Sequence, residues 1–385
     1  MGSCNACDTS QRISIFSVYD KNGVWGAYRS YILKELKEIS DKVFIVVNGF
    51  ISDDVENSIC DCNTRIIIRE NKGFDAGAYK DVIMNHIGMQ GLRNYQELIL
   101  CNDTFFGPFV SFSKIFSDMK QSDSDFWGLY RIEHRVLQII CSCFYVFRLK
   151  DNLLYDVYSY FDHFINADNN SLFDVYMEFE NGLYSWLISQ KYKSDVYIKE
   201  YYYSFYENGD MNLLQPNFPI FKKKFFLFCK NKENVIHSLQ IIHNTTRYSI
   251  DMILEFVDLS TYGIHSVKDI LRYPLHYEKL NTSRSIKCKI TREQMLSYIS
   301  AADEIYIYGA GVWGCFIYDI YFKKQNKCKG FIVSIRSNKK EQRKLPIYEY
   351  ENNFASKNVI VAMSYKNTED LIKQMGRKVN WLYLW

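Results

Sequence analysis

The feature that most restricts the fold is an alternation of unbroken apolar runs with segments of helical period. Ile13-Ser14-Ile15-Phe16-Ser17-Val18, Val43-Phe44-Ile45-Val46-Val47, Thr64-Arg65-Ile66-Ile67-Ile68-Arg69 and Glu97-Leu98-Ile99-Leu100-Cys101 read as four strands. Between them, Ala27 to Ile39 places Tyr28, Ile32, Leu33, Leu36 and Ile39 at helical spacing. Ser52 to Ser58 reads as a short polar helix, and Asp75 to Ile87 as a helix leaving a glycine-bearing loop. Strands that are apolar throughout are covered on both faces, and strand–helix–strand order makes them parallel. The expected fold class is therefore α/β, with a mixed, mostly parallel sheet. Ligands of such sheets sit beyond the carboxyl ends of the strands. The polar residues just past each strand become the candidates: Asp20, Asn48, Asn71, Asp75, Asn102 and Asp103.

The pattern loosens in the middle of the chain and then restarts. Asp125–Leu129 and Cys143–Phe147 read as strands, and residues 151–165, 171–190 and 247–275 have helical spacing. Tyr201–Tyr206 is a dense aromatic segment, Pro216 and Pro219 break the chain, and residues 276–294 are polar enough to form a linker. From Glu304, the strand Ile305–Tyr308 leads into Gly309-Ala310-Gly311-Val312-Trp313-Gly314 and a helix through Tyr321. Lys329–Val333 and Asn358–Ala362 supply two more strands. The chain is expected to divide into a flexible arm over 1–11, a domain over 12–290 that becomes helical and aromatic from about 150, and a small Rossmann-like domain over 295–385.

Composition excludes several classes. A net charge of +3 gives no strong field for nucleic acid or acidic lipid, and the run Lys222-Lys223-Lys224 reads as a solvated face. The eleven cysteines sit mostly in apolar runs such as Ile140-Cys141-Ser142-Cys143-Phe144, where reduced thiols act as small hydrophobes. Cys4 and Cys7 form a CxxC without a second at zinc-ribbon spacing, and the seven histidines show no HExxH or HxxxH pattern. The first residues lack the apolar core of a signal peptide, and no run of about 18 apolar residues occurs. A cytoplasmic setting is expected, with peripheral association on the inner membrane face left open. The 31 Tyr and 27 Phe suit stacking on sugar rings and nucleobases.

Four segments offer chemistry. In Arg69-Glu70-Asn71-Lys72-Gly73-Phe74-Asp75-Ala76-Gly77-Ala78-Tyr79, the glycines permit close backbone approach and free helix-start amides favour an anion. The alternative is a capped helix with Asp75 at the N-cap. In Cys101-Asn102-Asp103-Thr104, a carboxylate beside an amide and a hydroxyl could hold Mg²⁺ or Mn²⁺ against a diphosphate, or form an Asx-turn before Gly107-Pro108. Glu180, expected at a helix start ahead of Leu183, Trp186 and Leu187, is either a general base or a dipole-favoured glutamate. Gly309–Gly314 is a GxGxxG turn, but the next strand runs into Ser334-Ile335-Arg336-Ser337-Asn338 without the acid that a dinucleotide site needs, so no NAD is expected.

These segments, taken together, resemble the rhamnan synthesis protein F family. The resemblance rests on Ile13–Phe16 with Tyr19-Asp20, Arg69–Asp81, Asn102-Asp103-Thr104 before Gly107-Pro108-Phe109, and Asp125-Phe126-Trp127-Gly128, in order across about residues 12–230. It implies a polysaccharide-assembling glycosyltransferase, often a rhamnosyltransferase, with a GT-A-like nucleotide-sugar-binding domain. The donor would be a nucleotide-diphosphate sugar carrying rhamnose or another hexose, and the acceptor a surface polysaccharide or lipid-linked oligosaccharide. The resemblance puts Asn71 and Asp75 at the nucleotide, Asn102-Asp103 at the metal and diphosphate, and Glu180 in the place of the base; with the strand-end and motif residues, the candidate donor-binding set is Asp20, Asn48, Arg69, Asn71, Gly73, Asp75, Asn102, Thr104, Asp125 and Trp127, with Asp103 at the metal. A protein base implies inversion at the anomeric carbon. One departure stands out: where the family has a His-x-Gln-Ser-type segment, this chain has Ile139-Ile140-Cys141-Ser142-Cys143-Phe144, with His134 and Gln138 out of register. That departure admits a second reading, an assembly partner that keeps the fold without turnover; an NAD-dependent sugar-modifying enzyme is a third. Gly330–Val333 and Leu345-Pro346-Ile347-Tyr348 resemble the small Rossmann-like modules appended to surface-polysaccharide proteins.

Overall fold

A computed structural model describes residues 11–19, 21–134, 137–169, 171–199, 217–228, 232–272, 292–323, 325–334, 340–363 and 365–383. Residues 1–10, Asp20, Tyr201–Tyr206 and most of the expected linker lie outside the described residues. The chain divides into two compact units, one of Met1–Ile132 and Ile139–Ser283, the other of Glu133–Gln138 and Arg284–Trp385.

The first unit is built on β1 (Arg12–Val18), β2 (Lys42–Asn48), β3 (Thr64–Arg69) and β4 (Glu97–Asn102), followed by the short β5 (Phe105–Phe106). Then come β6 (Phe126–His134), β7 (Leu137–Ile140), β8 (Phe144–Arg148), β9 (Ser194–Ile198) and β10 (Phe221–Lys222). Eight of these form one sheet in the order β3-β2-β1-β4-β8-β6-β7, with β9 paired to β6, while β10 pairs with β5. The first four strands are mutually parallel and β8 runs antiparallel to β4. This is the mixed, mostly parallel sheet expected from the apolar runs.

The strands are apolar throughout because both faces are covered. Phe16 and Val18, Val43, Ile45 and Val47, and Ile99 and Cys101 enter one core with Ile32 and Leu36 of the helix Ala27–Ile39 and Phe112 and Phe116 of the helix Phe112–Met119. The alternate residues Ile13, Ile15, Phe44, Val46, Leu98 and Leu100 are also buried. On that face, Phe179 meets the rings of Tyr79, Phe161 and Tyr145 at 5.5, 6.0 and 6.1 Å. Each such side chain contributes roughly 1.5–3 kcal/mol on burial.

Register fixes the edge where chemistry can sit. Ser17 lies opposite Asn102, Asn48 opposite Arg69, and Cys101 opposite Phe144. The carboxyl ends of β1–β4 and the amino end of β8 therefore share one edge. Phe126 pairs with Phe147, so β6 starts at the opposite edge.

The second unit carries a six-stranded sheet of β11 (Ile305–Tyr308), β12 (Cys328–Val333), β13 (Glu341–Gln342), β14 (Leu345–Glu349), β15 (Val359–Val361) and β16 (Trp381–Tyr383). Its order is β13-β14-β12-β11-β15-β16, parallel except for the β13–β14 pair. Tyr308, Ile332, Val359, Val361, Leu371 and Trp381 share its core.

Candidate functional site

The shared strand edge holds three linked side-chain groups. The first ties the strand ends together. Asn48 Nδ2 donates to Ser17 Oγ at 3.1 Å, Arg69 Nη1 donates to Asn48 Oδ1 at 2.7 Å, and Arg69 Nε lies 3.6 Å from Asp81. Both polar ends of Asn48 are thus engaged within the protein, and the residue is buried. Asn48 holds the ends of β1, β2 and β3 in register; it does not present its amide to a donor as expected. Arg69 is half-buried beside it, and Asn71 is half-buried in the following loop.

The second group gathers four residues around Asp75. Its Oδ1 accepts from Ala76 N at 2.9 Å, and its Oδ2 accepts from Asn102 Nδ2 at 2.8 Å. Asn102 Oδ1 in turn accepts from Thr104 N at 3.2 Å and from Thr104 Oγ1 at 2.7 Å, while Lys222 Nζ donates to Thr104 Oγ1 at 2.7 Å. Burial pushes the Asp75 carboxyl up, against the pull of Asn102, Ala76 N and Lys222. The residue capping this helix is Gly73, not Asp75, which lies in the first turn.

The third group surrounds Asp103. Its Oδ2 accepts from Tyr28 Oη at 3.0 Å and from Arg29 Nε at 2.7 Å, with Arg29 Nη2 at 2.7 Å and Lys223 Nζ at 3.4 Å. Lys223 Nζ also lies over the rings of Tyr28 and Phe256 at 4.7 and 4.4 Å. Arg29 in turn donates to the backbone carbonyls of Tyr19, Val24 and Trp25 and so fixes the loop after β1. Burial raises the Asp103 carboxyl, but Lys223 and Arg29 overcome it and hold it below its ordinary value. Among the described residues, no group of three or more His, Cys, Asp or Glu side chains has metal-holding geometry. Asp103, the carboxylate expected to bind a metal, is through its Oδ2 the anchor of a buried ion-pair cluster.

The Asp75 charge also acts on Glu180. Glu180 sits inside the π-helical segment Tyr176–Leu183, which links the helices Leu172–Val175 and Tyr184–Ser189, rather than at a helix start. Such wide turns re-aim side chains and recur at functional sites. Burial, then Cys141 and Asp75, push the Glu180 carboxyl up to about 7, while Ser142 and Lys222 pull it down. The Cys141 and Cys143 thiols flank Ser142 with their sulfurs 3.4 Å apart. Although its surroundings resist ionisation, the Glu180 side chain is only half-buried.

Three expected donor contacts fall elsewhere. Gly73 has φ +66°, and a Cβ there would meet the carbonyl oxygen of Ala167 at 2.6 Å, so the close approach this glycine permits is to protein backbone. Asp125 stands at the opposite edge, with its Oδ2 accepting from Lys193 N at 2.7 Å. Trp127 is buried against Phe116 and Phe144 between that edge and the core. Asp20 lies outside the described residues.

The basic run corrects another expectation. Lys222 and Lys223 are 8% and 9% exposed, and only Lys224 faces solvent. The missed signal was the flanking sequence: Phe218, Ile220, Phe221, Phe225 and Phe226 bracket the run and pull it into the core. In the second unit, Gly309 and Gly314 serve packing, since added Cβ atoms would meet Ala362 O at 2.7 Å and would run into the Gly309 carbonyl oxygen.

Comparison with known proteins adds the following. The rhamnan synthesis protein F family matches residues 43–342. The virulence protein VirA of Vibrio anguillarum is 25% identical over 126 residues, which are 32% of this chain and 39% of VirA's own length. Among solved structures, the bifunctional glycosyltransferase WbbM matches with TM-score 0.32 and 12% identity, over 66% of this chain and 53% of that one. The glycosyltransferase GlyE of Streptococcus pneumoniae TIGR4 matches with TM-score 0.30 and 8% identity, over 95% of this chain and 89% of that one. Structural likeness this weak carries no weight about activity.

Proposed function

Since the chain belongs to the rhamnan synthesis protein F family, we propose that it is a glycosyltransferase using the carboxyl-end edge of its first sheet. The donor is a nucleotide-diphosphate sugar carrying rhamnose or another hexose, and the acceptor a surface polysaccharide or lipid-linked oligosaccharide met at the inner membrane face. No helix among the described residues is long and apolar enough to cross a membrane.

The observation that carries this reading is Glu180, a half-buried carboxylate in the π-helical segment Tyr176–Leu183 that burial, Cys141 and Asp75 push up to about 7. A base with that value is matched to proton abstraction at neutral pH. Glu180 takes the proton from an acceptor hydroxyl. The hydroxyl oxygen bonds to the anomeric carbon as the bond from that carbon to the diphosphate breaks, and the electron pair leaves with the nucleoside diphosphate. Attack opposite the leaving group inverts the anomeric configuration. A carboxylate poised near neutrality favours turnover over a catalytically silent assembly partner.

The test is to incubate the protein with a panel of nucleotide sugars and acceptor glycans, and to follow nucleoside diphosphate release and product anomer by NMR. Release with an inverted product is expected from at least one donor. A protein that binds glycan yet releases no diphosphate from any donor contradicts the reading.

A further inference from the structure

We propose that the amino edge of the second unit's sheet is a docking surface for an anionic lipid bilayer. This deepens the glycosyltransferase reading and rests on it in one respect, that the acceptor is met at a membrane.

Charge distribution is the first argument. The net charge of +3 hides a split between the two units. The unit of Glu133–Gln138 and Arg284–Trp385 carries 19 Lys and Arg against 10 Asp and Glu, a formal charge of +9. The rest of the chain carries 28 against 34, or −6. A positive charge of that size on little more than a quarter of the chain attracts an anionic surface within about a Debye length, ~8 Å at physiological salt.

Topology gathers much of that charge on one edge. β11, β12, β14, β15 and β16 are parallel neighbours, so their amino ends lie together. Lys327 precedes β12, Lys344 precedes β14 and Lys357 stands two residues before β15. Lys373 is in the last turn of the helix Tyr365–Met375, and Arg377 and Lys378 lie between that helix and β16. Asn380 Nδ2 donates to Ser356 O at 3.1 Å, and Tyr298 Oη donates to Val359 O at 3.2 Å and to Asn380 O, which ties these loops together. Lys344, Lys357, Lys373 and Arg377 are exposed, and among the described residues none of the four has an ion-pair partner. The acids at this edge are Asp303, Glu304 and Glu341, and Glu304 lies 3.8 Å from Lys329. A helix C-terminus favours a cation, which accounts for Lys373 but not for Lys344 or Lys357 on other loops.

The third argument is Val379, which is 100% exposed among these cations. It stands at the tip of a turn in which Trp381 N donates to Lys378 O at 3.2 Å. Lys378 N donates to Tyr383 Oη at 2.8 Å and Trp381 Nε1 donates to Phe354 O at 3.2 Å, so the tip is held outward by the sheet. An apolar side chain flanked by basic ones gains by entering the boundary between headgroups and acyl chains. Trp381 and Tyr383 are buried, so the turn offers no ring on which a base could stack. Lipid is therefore favoured over nucleic acid.

Sedimentation of the full chain with phosphatidylcholine vesicles, with and without about 30 mol % phosphatidylglycerol, tests this. Anionic vesicles should bind at least about tenfold more tightly, and the gain should shrink as NaCl rises from about 0.1 to about 0.5 M. The triple variant Lys373→Glu, Arg377→Glu, Lys378→Glu should weaken binding to anionic vesicles about tenfold or more, and Val379→Asp about threefold. Both variants should keep wild-type diphosphate release with a soluble acceptor. Circular dichroism checks folding; if the triple variant does not fold, Val379→Asp and the lipid and salt dependence of the wild type decide. Equal affinity or none for the two vesicle types, binding that neither variant weakens, or tighter binding to duplex DNA than to anionic vesicles overturns the inference and leaves the glycosyltransferase reading intact. Failure of that reading shows separately, as no diphosphate release beside intact vesicle binding.

Discussion

Two carboxylates on the same sheet edge receive opposite treatment. Asp103 meets a guanidinium, an ammonium and a phenol within 3.4 Å and is held ionised below its ordinary range. Glu180 is desolvated, feels the Cys141 and Asp75 charges, and is pushed up to about 7. The difference separates structure from chemistry. A carboxylate matched by several buried donors holds a fold together, whereas one kept short of compensation is ready to take a proton. The sequence makes Asp103 look the more functional of the two, because it stands in a polar triplet after a strand; the surroundings reverse that ranking.

The largest expected effect is on transfer. Glu180→Gln keeps the shape but cannot accept a proton, so turnover should fall by roughly 10²–10⁴-fold, with nucleotide affinity retained. Unchanged turnover would erase the contrast between the two acids. Asp103→Ala should act on stability instead. It strands Arg29 and Lys223 without their counter-charge, at a cost of roughly 3–5 kcal/mol in urea unfolding. A loss below about 1 kcal/mol, the scale of an exposed pair, would remove Asp103 from its anchoring role.

Stability against pH sharpens the comparison. Glu180 has a folded value above its unfolded one, so the native state holds the proton more tightly and stability falls as pH rises from about 4.5 to about 7. Glu180→Gln should therefore stabilise the protein above pH 7, by on the order of 2 kcal/mol, with the gain vanishing near pH 4. Asp103 has the opposite sign: its contribution is present above its unfolded value and is lost as acid protonates it. Thermal melts at several pH values read both slopes. The smallest effect belongs to Asp125→Asn at the far edge, which should cost about 1 kcal/mol for one weakened hydrogen bond and leave transfer unchanged.

Much of the first sheet was legible because its strands are apolar on both faces and its helices keep a strict period. The candidates Asp20, Asn48, Asn71, Asp75, Asn102 and Asp103 followed from the rule that parallel strands present their ends together. Which member does what was not legible, since it depends on partners distant in sequence: Arg29 and Lys223 lie 74 and 120 residues from Asp103. Asp125 and Trp127 seemed part of the site because they belong to the same family pattern, but β6 begins at the opposite edge, a fact of sheet order rather than of local sequence. The helix Lys232–Thr245 escaped notice although Val235, Leu239 and Ile242 lie on one buried face, because its polar flanks mask the period. The burial of Lys222 and Lys223 was legible in principle from the aromatic residues on both sides.

The central claim is that Glu180 acts as the proton acceptor, with a carboxyl poised near neutrality. Its most direct measurement is the pH dependence of kcat with saturating donor and acceptor. The account predicts a tenfold rise per pH unit at acid pH, a break at about 7, and loss of that break in Glu180→Gln. A profile that is flat from about pH 5 to 8, or a break that survives Glu180→Gln, would contradict it.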